Sequence, residues 1–444
     1  MKKLTTLFLP LLALTSVSCS SAWNVGPDPS GAKYRIAYKC ENFIEDPIEI
    51  RYEFDYDLKD FGKDSTVFNK NIALLSFAKE TMATDAANIH TFYTDLGFDS
   101  IYRSESYAQP DHKDTIQFAM AHREMAEFHL VSVATNGLAY KKPWANNFVL
   151  GLEGDAEGFV IPALTIIDQI KSYVGHYADK TVKLWISGYS RTAAITDIVS
   201  YRLIDQGVFA EKDLFAYTFE APQAVSSANT KQYNSIFNIM NQADLVTHVA
   251  PSAYGLKRAG RDIDLHNDQI DTWITRIDHR IQLAPFHPSK GIETEGQNVE
   301  SILTALMDPS LNLTEDVGMD TREHYVKFHQ NAISYALELF MGLKFSTIVA
   351  LLGGINVNAL ASFMAEDGLY NYLKSALDDQ KETYDDQKLR DMSNSIAKML
   401  TSMMGVLLTA VSICGEGANL DNFIRSLEFH FPEVVLVSLY NYKA

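Results

Sequence analysis

Short apolar runs alternate with amphipathic helical patterns between residues 128 and 240, and this alternation limits the fold more than any other feature of the chain. The apolar runs are Phe128–Ala134, Thr181–Ser187, Leu214–Phe219 and Ser235–Met240. Strands that alternate with helices form a parallel sheet covered by helices, and functional residues gather at the carboxyl ends of such strands. The sequence therefore predicts an α/β fold built on a parallel sheet.

A strand, a sharp turn and a helix are predicted to meet at residues 188–192, which read GYSRT. This is the context of a nucleophile elbow, which exposes a serine Oγ to a base and brings helix N-terminal N–H groups near a developing oxyanion. Gly188 supplies the small residue before the turn, whereas Thr192 stands where the usual pattern has a second glycine. The simpler alternative is a βα turn in which Ser190 caps the helix.

The composition excludes several classes of protein. With 444 residues, of which 47% are hydrophobic, the chain can bury a large core and is neither disordered nor fibrous. A formal net charge of −18 argues against nucleic acid as a partner. Three cysteines are too few for a disulfide scaffold or a cysteine-rich zinc site. Cys40 and Cys414 are predicted either to be joined or to remain two buried thiols.

The first residues are typical of an export signal. A basic pair at positions 2–3 precedes an apolar stretch, 4–14, that is too short for a membrane span. Cys19 follows the tripeptide SVS, which is similar to a relaxed lipoprotein box whose cysteine becomes the lipidated first residue. The chain is predicted to be exported, either anchored in a membrane through lipidated Cys19 or secreted or periplasmic after plain cleavage.

An activated serine needs a base within hydrogen-bond reach and a carboxylate that orients this base. Asp244 fits the carboxylate because it follows the apolar run 235–240, two strands beyond Ser190. In α/β-hydrolases the acid also follows the nucleophile along the chain and precedes the base. The alternative role for Asp244 is a helix N-cap or an Asx-turn.

The base must be chosen among twelve histidines, and the two serious candidates are His430 and His324. His430 precedes Pro432, which suits the first turn of a terminal helix and places the histidine in the loop before it. His324 lies in a stretch, 321–339, that is predicted to be one continuous helix. His430 is therefore favoured and His324 stays open; for each, a surface or core histidine is the simpler role.

An ordered set of segments resembles bacterial lipase-family proteins related to class 3 lipases. The segments are Val133–Gly137 (VATNG), Leu184–Ala194 (LWISGYSRTAA), Phe219–Pro222 (FEAP) and Asn241–Asp244 (NQAD). The stretches 92–98 and 140–147, the latter with Trp144, and the HFPE of residues 430–433 are also similar. The resemblance spans about residues 85–265 and the C-terminal motif.

The resemblance implies roles for individual residues. Ser190 would be the nucleophile, Asp244 the acid and His430 the base, while the backbone N–H of Arg191 and one near Leu138 would form the oxyanion hole. Two positions depart from the family pattern. Asn136 precedes Gly137 where relatives commonly have arginine, and Glu157 replaces a histidine before the Gly-Phe pair.

The resemblance also implies a segment plan with an α/β-hydrolase-like core and a mostly helical C-terminal insertion or cap. The predicted segments are 1–18, a signal peptide; 19–64, an N-terminal segment laid over the domain; 65–265, the core; 266–425, the cap or insertion; and 426–444, which returns to the core with the candidate base. Two uncharged stretches, 345–365 and 399–415, are favoured as buried cap helices over membrane spans.

The predicted function is hydrolysis of carboxylic esters by a lipase or esterase, through a Ser-His-Asp triad and an acyl-enzyme. The substrate would be a lipid or another ester, and no metal or cofactor is required. The alternative is a catalytically degenerate surface lipoprotein that keeps the fold and binds lipid or a host partner. The departures at Thr192 and Asn136 favour this alternative, whereas the complete set of Ser190, Asp244 and His430 argues against it.

Overall fold

The computed structural model describes residues 24–40, 48–108, 116–137, 146–242, 244–265, 321–343, 362–363, 365, 367–398 and 429–443. The predicted signal segment, Cys19, Leu138 and Cys414 lie outside these residues, as do the stretch 399–415 and most of 345–365. The predictions made for them therefore stay predictions.

Among the residues described, seven strands form one central sheet in the order β12-β10-β8-β7-β6-β5-β4. The strands of the molecule, in chain order, are β1 (Gly26–Pro27), β2 (Lys33–Cys40), β3 (Ile48–Asp55), β4 (Asp99–Arg103), β5 (Phe118–Glu124), β6 (Phe128–Thr135), β7 (Thr181–Tyr189), β8 (Leu214–Phe219), β9 (Val225–Ser226), β10 (Ile236–Met240), β11 (Leu256–Lys257) and β12 (Arg261–Asp264). Strands β6, β7, β8, β10 and β12 run parallel, and β4 and β5 add an antiparallel edge. The predicted α/β fold with a mostly parallel sheet is confirmed.

Helices cover both faces of this sheet. They are α1 (Lys70–Met82), α2 (Ala86–Asp95), α3 (Glu157–Val174), α4 (Arg191–Asp205), α5 (Arg322–Phe328), α6 (Ser334–Gly342), α7 (Gly368–Asp379) and α8 (Pro432–Asn441). One core packs α3 and α4 against one face, and the other packs α1, α2 and α8 against the opposite face. The result is a three-layered arrangement in which the parallel strands are covered on both sides.

The central strands are buried along their length because both faces of the sheet are covered. Every residue of β6, β8 and β10 is buried. Successive side chains alternate between the two cores: Leu184 and Ile186 of β7 face α3 and α4, whereas Trp185 and Tyr189 face α1 and α8. This double burial explains why the strands appear in the sequence as continuous apolar runs rather than as alternating ones.

A separate antiparallel sheet of β1, β2 and β3 precedes the core. Its apolar face, with Tyr34, Ile36 and Tyr38 at alternate positions of β2, belongs to the same core as α1 and α8. Tyr52 of β3 stacks on Tyr440 of α8 with ring centroids 3.9 Å apart. The described strands of the predicted N-terminal segment therefore contribute side chains to the core of the domain.

The residues described between 321 and 398 are mostly helical and have a small core of their own. This core is formed by Phe328, Ala332, Leu339, Tyr370, Leu377, Leu389 and Met392. The stretch predicted as one helix from 321 to 339 is interrupted by a π-helical turn, His329–Ile333, between α5 and α6. Within the residues described, no helix is long and apolar enough to cross a membrane.

Helix α5 is attached to the loop that leads into α3. The Arg322 guanidinium donates hydrogen bonds to the carbonyl oxygens of Gly151 at 2.8 Å and of Leu150 at 2.6 Å. The Tyr325 hydroxyl donates to the carbonyl of Phe148 at 3.0 Å, and the Tyr325 ring belongs to the core beneath α3. These contacts hold the start of the helical region against the α/β core.

Strand β7 and helix α4 approach each other closely at Gly188. A Cβ atom at this position would lie 2.4 Å from the carbonyl oxygen of Thr192 and 2.6 Å from Oγ1 of Thr196. Real Cβ atoms do not approach backbone atoms so closely, so a side chain here would push the helix away from the strand. The turn at Ser190 therefore depends on glycine at position 188.

We expect Gly188→Ala to lower the free energy of unfolding by about 2 kcal/mol because the added methyl group overpacks the crossing. Urea denaturation followed by circular dichroism measures this change. Gly175→Ala is the matched control, since a Cβ at Gly175 would meet its nearest atoms at an ordinary 3.5 Å. Equal effects of the two substitutions would contradict a tight crossing at Gly188.

Two neighbouring charged residues of α1, Lys79 and Glu80, are fully buried beneath β6 and β7. Lys79 Nζ donates to the carbonyl of Val133 at 2.8 Å and lies 3.8 Å from the centre of the Trp185 ring. Glu80 Oε1 accepts a hydrogen bond from Ser187 Oγ at 2.6 Å. Burial raises the pKa of the Glu80 carboxyl from 4.5 to about 7, because the charged form loses its water shell.

We expect Glu80→Gln to become more stable relative to wild type as the pH rises from 4.5 to 7. Over this range the folded chain retains a proton on Glu80 that the unfolded chain has lost, so wild-type stability falls with rising pH. The difference reaches at most about 3 kcal/mol. Urea denaturation at several pH values measures it. Glu127→Gln, the same change at an exposed position, is the control, and an identical pH dependence in both variants would refute the prediction.

Candidate active site

Ser190 lies in the turn between β7 and α4 with φ 54° and ψ −124°. A positive φ is unfavourable for a residue with a side chain, so the surrounding structure must hold it in place. The backbone N–H of Ser190 donates to the carbonyl of Phe219 at the end of β8, at 2.8 Å. Ser190 itself is only half-buried, whereas most of the strand before it is buried. This is the geometry of a nucleophile elbow and not of an ordinary helix cap.

Thr192 occupies the position of the usual second glycine without disturbing the turn. Its Oγ1 accepts a hydrogen bond from the backbone N–H of Tyr189 at 3.1 Å and lies 3.0 Å from the carbonyl of Tyr189, to which it donates. Space for this side chain comes from Gly137, where a Cβ would lie 2.6 Å from Thr192 Oγ1 and 2.1 Å from the Tyr189 carbonyl oxygen. In this chain, therefore, position 137 and not position 192 must hold a residue without a side chain.

The side chains of Ser190, His430 and Asp244 form one continuous chain of hydrogen bonds. Ser190 Oγ lies 2.8 Å from Nε2 of His430, and Nδ1 of His430 lies 2.6 Å from Oδ2 of Asp244. Asp244 is completely buried, and the His430 side chain is 4% exposed. Because an ionised carboxylate can only accept hydrogen bonds, Nδ1–H of His430 donates to Asp244. In the neutral imidazole this leaves the lone pair of Nε2 facing the serine hydroxyl.

Asp244 makes the contacts that both of its predicted roles require. Its Oδ1 accepts a hydrogen bond from the backbone N–H of Val246 at 2.9 Å and caps a short 3₁₀ turn. Its Oδ2 is the atom that contacts His430. The cap fixes the carboxylate so that its second oxygen points at the imidazole.

His430 is held by the chain on either side of it. The Tyr189 hydroxyl donates to the His430 carbonyl oxygen at 2.7 Å, which ties the turn before α8 to the end of β7. Pro432 begins α8, as the sequence predicted, and Phe431 is the residue before it. His324 instead lies in the first turn of α5, where its backbone N–H donates to Thr321 Oγ1 at 3.0 Å. The structure thus brings His430, and not His324, to Ser190.

Of the two predicted oxyanion donors, the structure describes Arg191. Arg191 is the first residue of α4, at the positive end of the helix dipole. Its guanidinium donates to the Gly158 carbonyl at 3.0 Å. Leu138 lies outside the described residues. Asn136, which departs from the family pattern, is buried and donates from Nδ2 to Gln117 Oε1 at 2.6 Å.

Two side chains around the site were not predicted from the sequence. Tyr189 supports His430, and Glu220 lies fully buried directly after β8. The sequence signal that could have identified Glu220 is an acidic residue immediately after an uncharged strand, at the edge where functional residues gather.

Glu157, which replaces a histidine of the family pattern, is exposed at the first turn of α3. Within the residues described, no group of histidine, cysteine and acidic side chains is placed to hold a metal ion.

Comparison with known proteins places one part of the chain in a family. Residues 107–254, about a third of the chain, match the family model of class 3 lipases. A search of curated proteins gave no match.

The solved structures that the chain matches include fungal lipases. The lipase of Rhizopus microsporus var. chinensis is 15% identical, with 45% of this chain and 75% of that chain covered and a TM-score of 0.33. The triacylglyceride lipase of Rhizomucor miehei is 15% identical, with 45% and 80% covered and a TM-score of 0.31. A fungal lipase–inhibitor complex is 14% identical, with 46% and 83% covered and a TM-score of 0.35.

The matched segment covers the part of the fold on which the site is built. It contains β5 to β8 and β10, the turn at Ser190 and Asp244, whereas His430 lies far beyond it in sequence. Over residues 107–254 the chain is therefore similar to class 3 lipases, and this similarity includes the turn at Ser190 and Asp244.

Proposed function

We propose that the chain cleaves the ester bond of a lipid or similar ester by acyl transfer through Ser190, with His430 as the base and Asp244 as the acid. The observation that carries this proposal is the unbroken chain of contacts of 2.8 and 2.6 Å from Ser190 Oγ through His430 to Asp244. A serine hydroxyl is a weak nucleophile at neutral pH, and a neutral imidazole at this distance can take its proton during attack.

In the first half-reaction Ser190 Oγ attacks the ester carbonyl carbon while its proton passes to His430 Nε2. The resulting imidazolium is stabilised by the Asp244 carboxylate, which is buried and 2.6 Å away. When the tetrahedral intermediate collapses, the bond to the alcohol oxygen breaks and the proton on Nε2 goes to the leaving alcohol. The acyl group then remains on Ser190 as an ester.

In the second half-reaction a water molecule attacks the acyl carbon and gives its proton to His430. Collapse of this intermediate releases the carboxylic acid and returns the proton to Ser190. In both steps the negative carbonyl oxygen would accept hydrogen bonds from the backbone N–H of Arg191 and from one near Leu138. The positive end of the α4 dipole, at whose first residue Arg191 lies, supports the same charge.

We expect Ser190→Ala, His430→Ala and Asp244→Ala each to lower kcat/KM for a short-chain p-nitrophenyl ester by about 10⁴-fold, because the three side chains act as one unit. A fluorophosphonate probe should label wild type at Ser190 and fail to label Ser190→Ala. Near-normal labelling of Ser190→Ala, or no labelling of folded wild type with or without detergent, would contradict the proposal. The second of these results would favour a degenerate binding protein.

His324→Ala is the matched control for His430→Ala, because both remove one imidazole from the chain. We expect His324→Ala to keep kcat/KM within about two-fold of wild type, since His324 lies in the first turn of α5 and the imidazole that hydrogen-bonds Ser190 Oγ is that of His430. Circular dichroism of each variant shows that the loss of activity is not a loss of fold. Inactivation by His324→Ala and full activity of His430→Ala would assign the base to His324.

We also propose that the chain is exported and anchored through a lipid on Cys19, on the pattern of residues 2–21. Because a lipidated cysteine attaches an otherwise soluble domain to a membrane, Cys19→Ala should move the protein from the membrane fraction to the soluble fraction. Fractionation and immunoblotting of a bacterial host that expresses both forms measure this shift. Equal distribution of both forms would rule out the anchor.

A further inference from the structure

Glu220 is a buried carboxyl group for which the proposed reaction has no use. It follows β8 directly, at φ 50°, a conformation that is unfavourable for any residue with a Cβ. The backbone N–H of Asn241 donates to both carboxyl oxygens, at 3.1 and 3.2 Å, and Asn241 Nδ2 donates to Oε1 at 3.0 Å. The side chain is therefore held in one position at the edge of the sheet.

Asn241 links Glu220 to Asp244: its N–H donates to the Glu220 carboxyl, and its carbonyl oxygen accepts the Asp244 N–H at 3.0 Å. Burial raises the pKa of the Glu220 carboxyl, and the Asp244 carboxyl, which acts on it directly, raises it further. Both residues are completely buried. Two ionised carboxylates cannot share a hydrogen bond, and in a site without water they repel each other strongly, so one of the two must carry a proton. A hydrogen bond between them therefore requires a neutral carboxyl as donor and a carboxylate as acceptor.

The surroundings decide which residue carries this proton. Asp244 accepts hydrogen bonds from Val246 N–H and from His430, which becomes a cation during the proposed reaction, so its charge is stabilised. Glu220 faces the uncharged amides of Asn241 instead. Burial, followed by the neighbouring charge of Asp244, raises the pKa of the Glu220 carboxyl well above its usual range.

Two other titratable side chains lie near Glu220 and leave this assignment unchanged. The Arg258 guanidinium acts on Glu220 electrostatically but is paired with Asp262, at 2.8 Å and 3.1 Å. Tyr189 is buried, and burial raises the pKa of its phenol well above the usual range. Its hydroxyl thus keeps its proton and donates it to the His430 carbonyl.

We propose that Glu220 is a positioning residue of this site: it remains protonated at neutral pH and donates a hydrogen bond to Asp244, which fixes that carboxylate and moderates its hold on His430. The inference rests on the proposed roles of Ser190, His430 and Asp244. A carboxylate whose charge is partly neutralised by a second donor stabilises an imidazolium less strongly. With Glu220 in place, His430 is therefore free of its extra proton, and able to act as a base, at a lower pH.

The test compares three substitutions at position 220 by the pH profile of kcat/KM with a p-nitrophenyl ester. Glu220→Gln keeps an amide donor toward Asp244 and an acceptor toward Asn241, and it has the same charge as a protonated glutamate. Glu220→Met has similar length and no donor. Glu220→Gly also has no donor, and glycine suits the backbone at φ 50°.

We expect Glu220→Gln to retain kcat/KM within about two-fold and to keep the acid-side midpoint of the profile. Glu220→Met and Glu220→Gly should shift this midpoint upward by about half to one pH unit, because loss of a charge-assisted hydrogen bond strengthens the Asp244–imidazolium pair. At pH 7 both should lose about two- to three-fold in kcat with little change in KM, since Glu220 is completely buried. Thermal unfolding of each variant reports on the fold separately.

Two results would overturn the inference. A downward shift of the midpoint in Glu220→Gln would mean that a negative charge had been removed, so that Glu220 is ionised in the wild type. A uniform loss of activity at all pH values in Glu220→Met and Glu220→Gly, without a shift, would reduce Glu220 to a structural role. Ser190→Ala, measured beside them, separates the proposed triad from the proposed role of Glu220. If Ser190→Ala is active, the triad itself is contradicted. If it is inactive, a negative result at position 220 counts against Glu220 alone.

Discussion

The turn that presents Ser190 is the constraint on which the rest of the structure depends. Its backbone is in an unfavourable conformation, at φ 54°, which costs roughly 1–3 kcal/mol and persists only when the surroundings impose it. They do so from three sides. Strand β7 lies between β6 and β8 in the middle of the sheet, Phe219 accepts the Ser190 N–H, and the Thr192 hydroxyl bonds the Tyr189 backbone. The close crossing at Gly188 then fixes where α4 begins.

The same constraint explains why the last helix is essential to the site. His430 is separated from Ser190 by 240 residues and reaches it because α8 packs its buried valines and leucines against α1 and the face of the sheet that carries Tyr189. Burial of each such side chain contributes roughly 1.5–3 kcal/mol, so the packing of α8 stabilises the core and positions the base together. Lys70 Nζ adds hydrogen bonds to the carbonyls of Tyr440 and Tyr442, at 2.7 Å each.

The features that the sequence predicted well are those set by local pattern. Strands buried on both faces appear as uninterrupted apolar runs, and β8 was predicted with the bounds it has in the structure, Leu214–Phe219. The position of His430 followed from Pro432, whose ring suits a first helical turn. Asp244 was chosen as the candidate acid from its place beyond a buried strand, and in the structure one of its oxygens caps a turn while the other contacts His430.

The features that the sequence did not reveal depend on contacts between distant segments. Apolar and polar side chains alternate along β2 and β3 over only eight residues each. The apolar face of this sheet is buried by packing in the same core as α1. Thr192 looked like a defect because its compensation lies at Gly137, 55 positions earlier in the chain, in another strand-end loop. Glu220 was given no role from the sequence, since only the pairing of β8 with β10 brings Asn241 to its carboxyl group. Local propensity cannot encode such encounters.

A proton on Glu220 explains how two buried carboxyl groups can lie near His430. If Glu220 and Asp244 were both ionised, the imidazolium would face two negative charges in a region from which water is excluded, and His430 would release its proton only at high pH. If neither were ionised, nothing would stabilise the imidazolium that forms when Ser190 attacks. One shared proton leaves a single negative charge and orients it, because the Asn241 amides hold Glu220 and Val246 N–H holds Asp244. A protonated glutamate in this position thus tunes the base without contacting it.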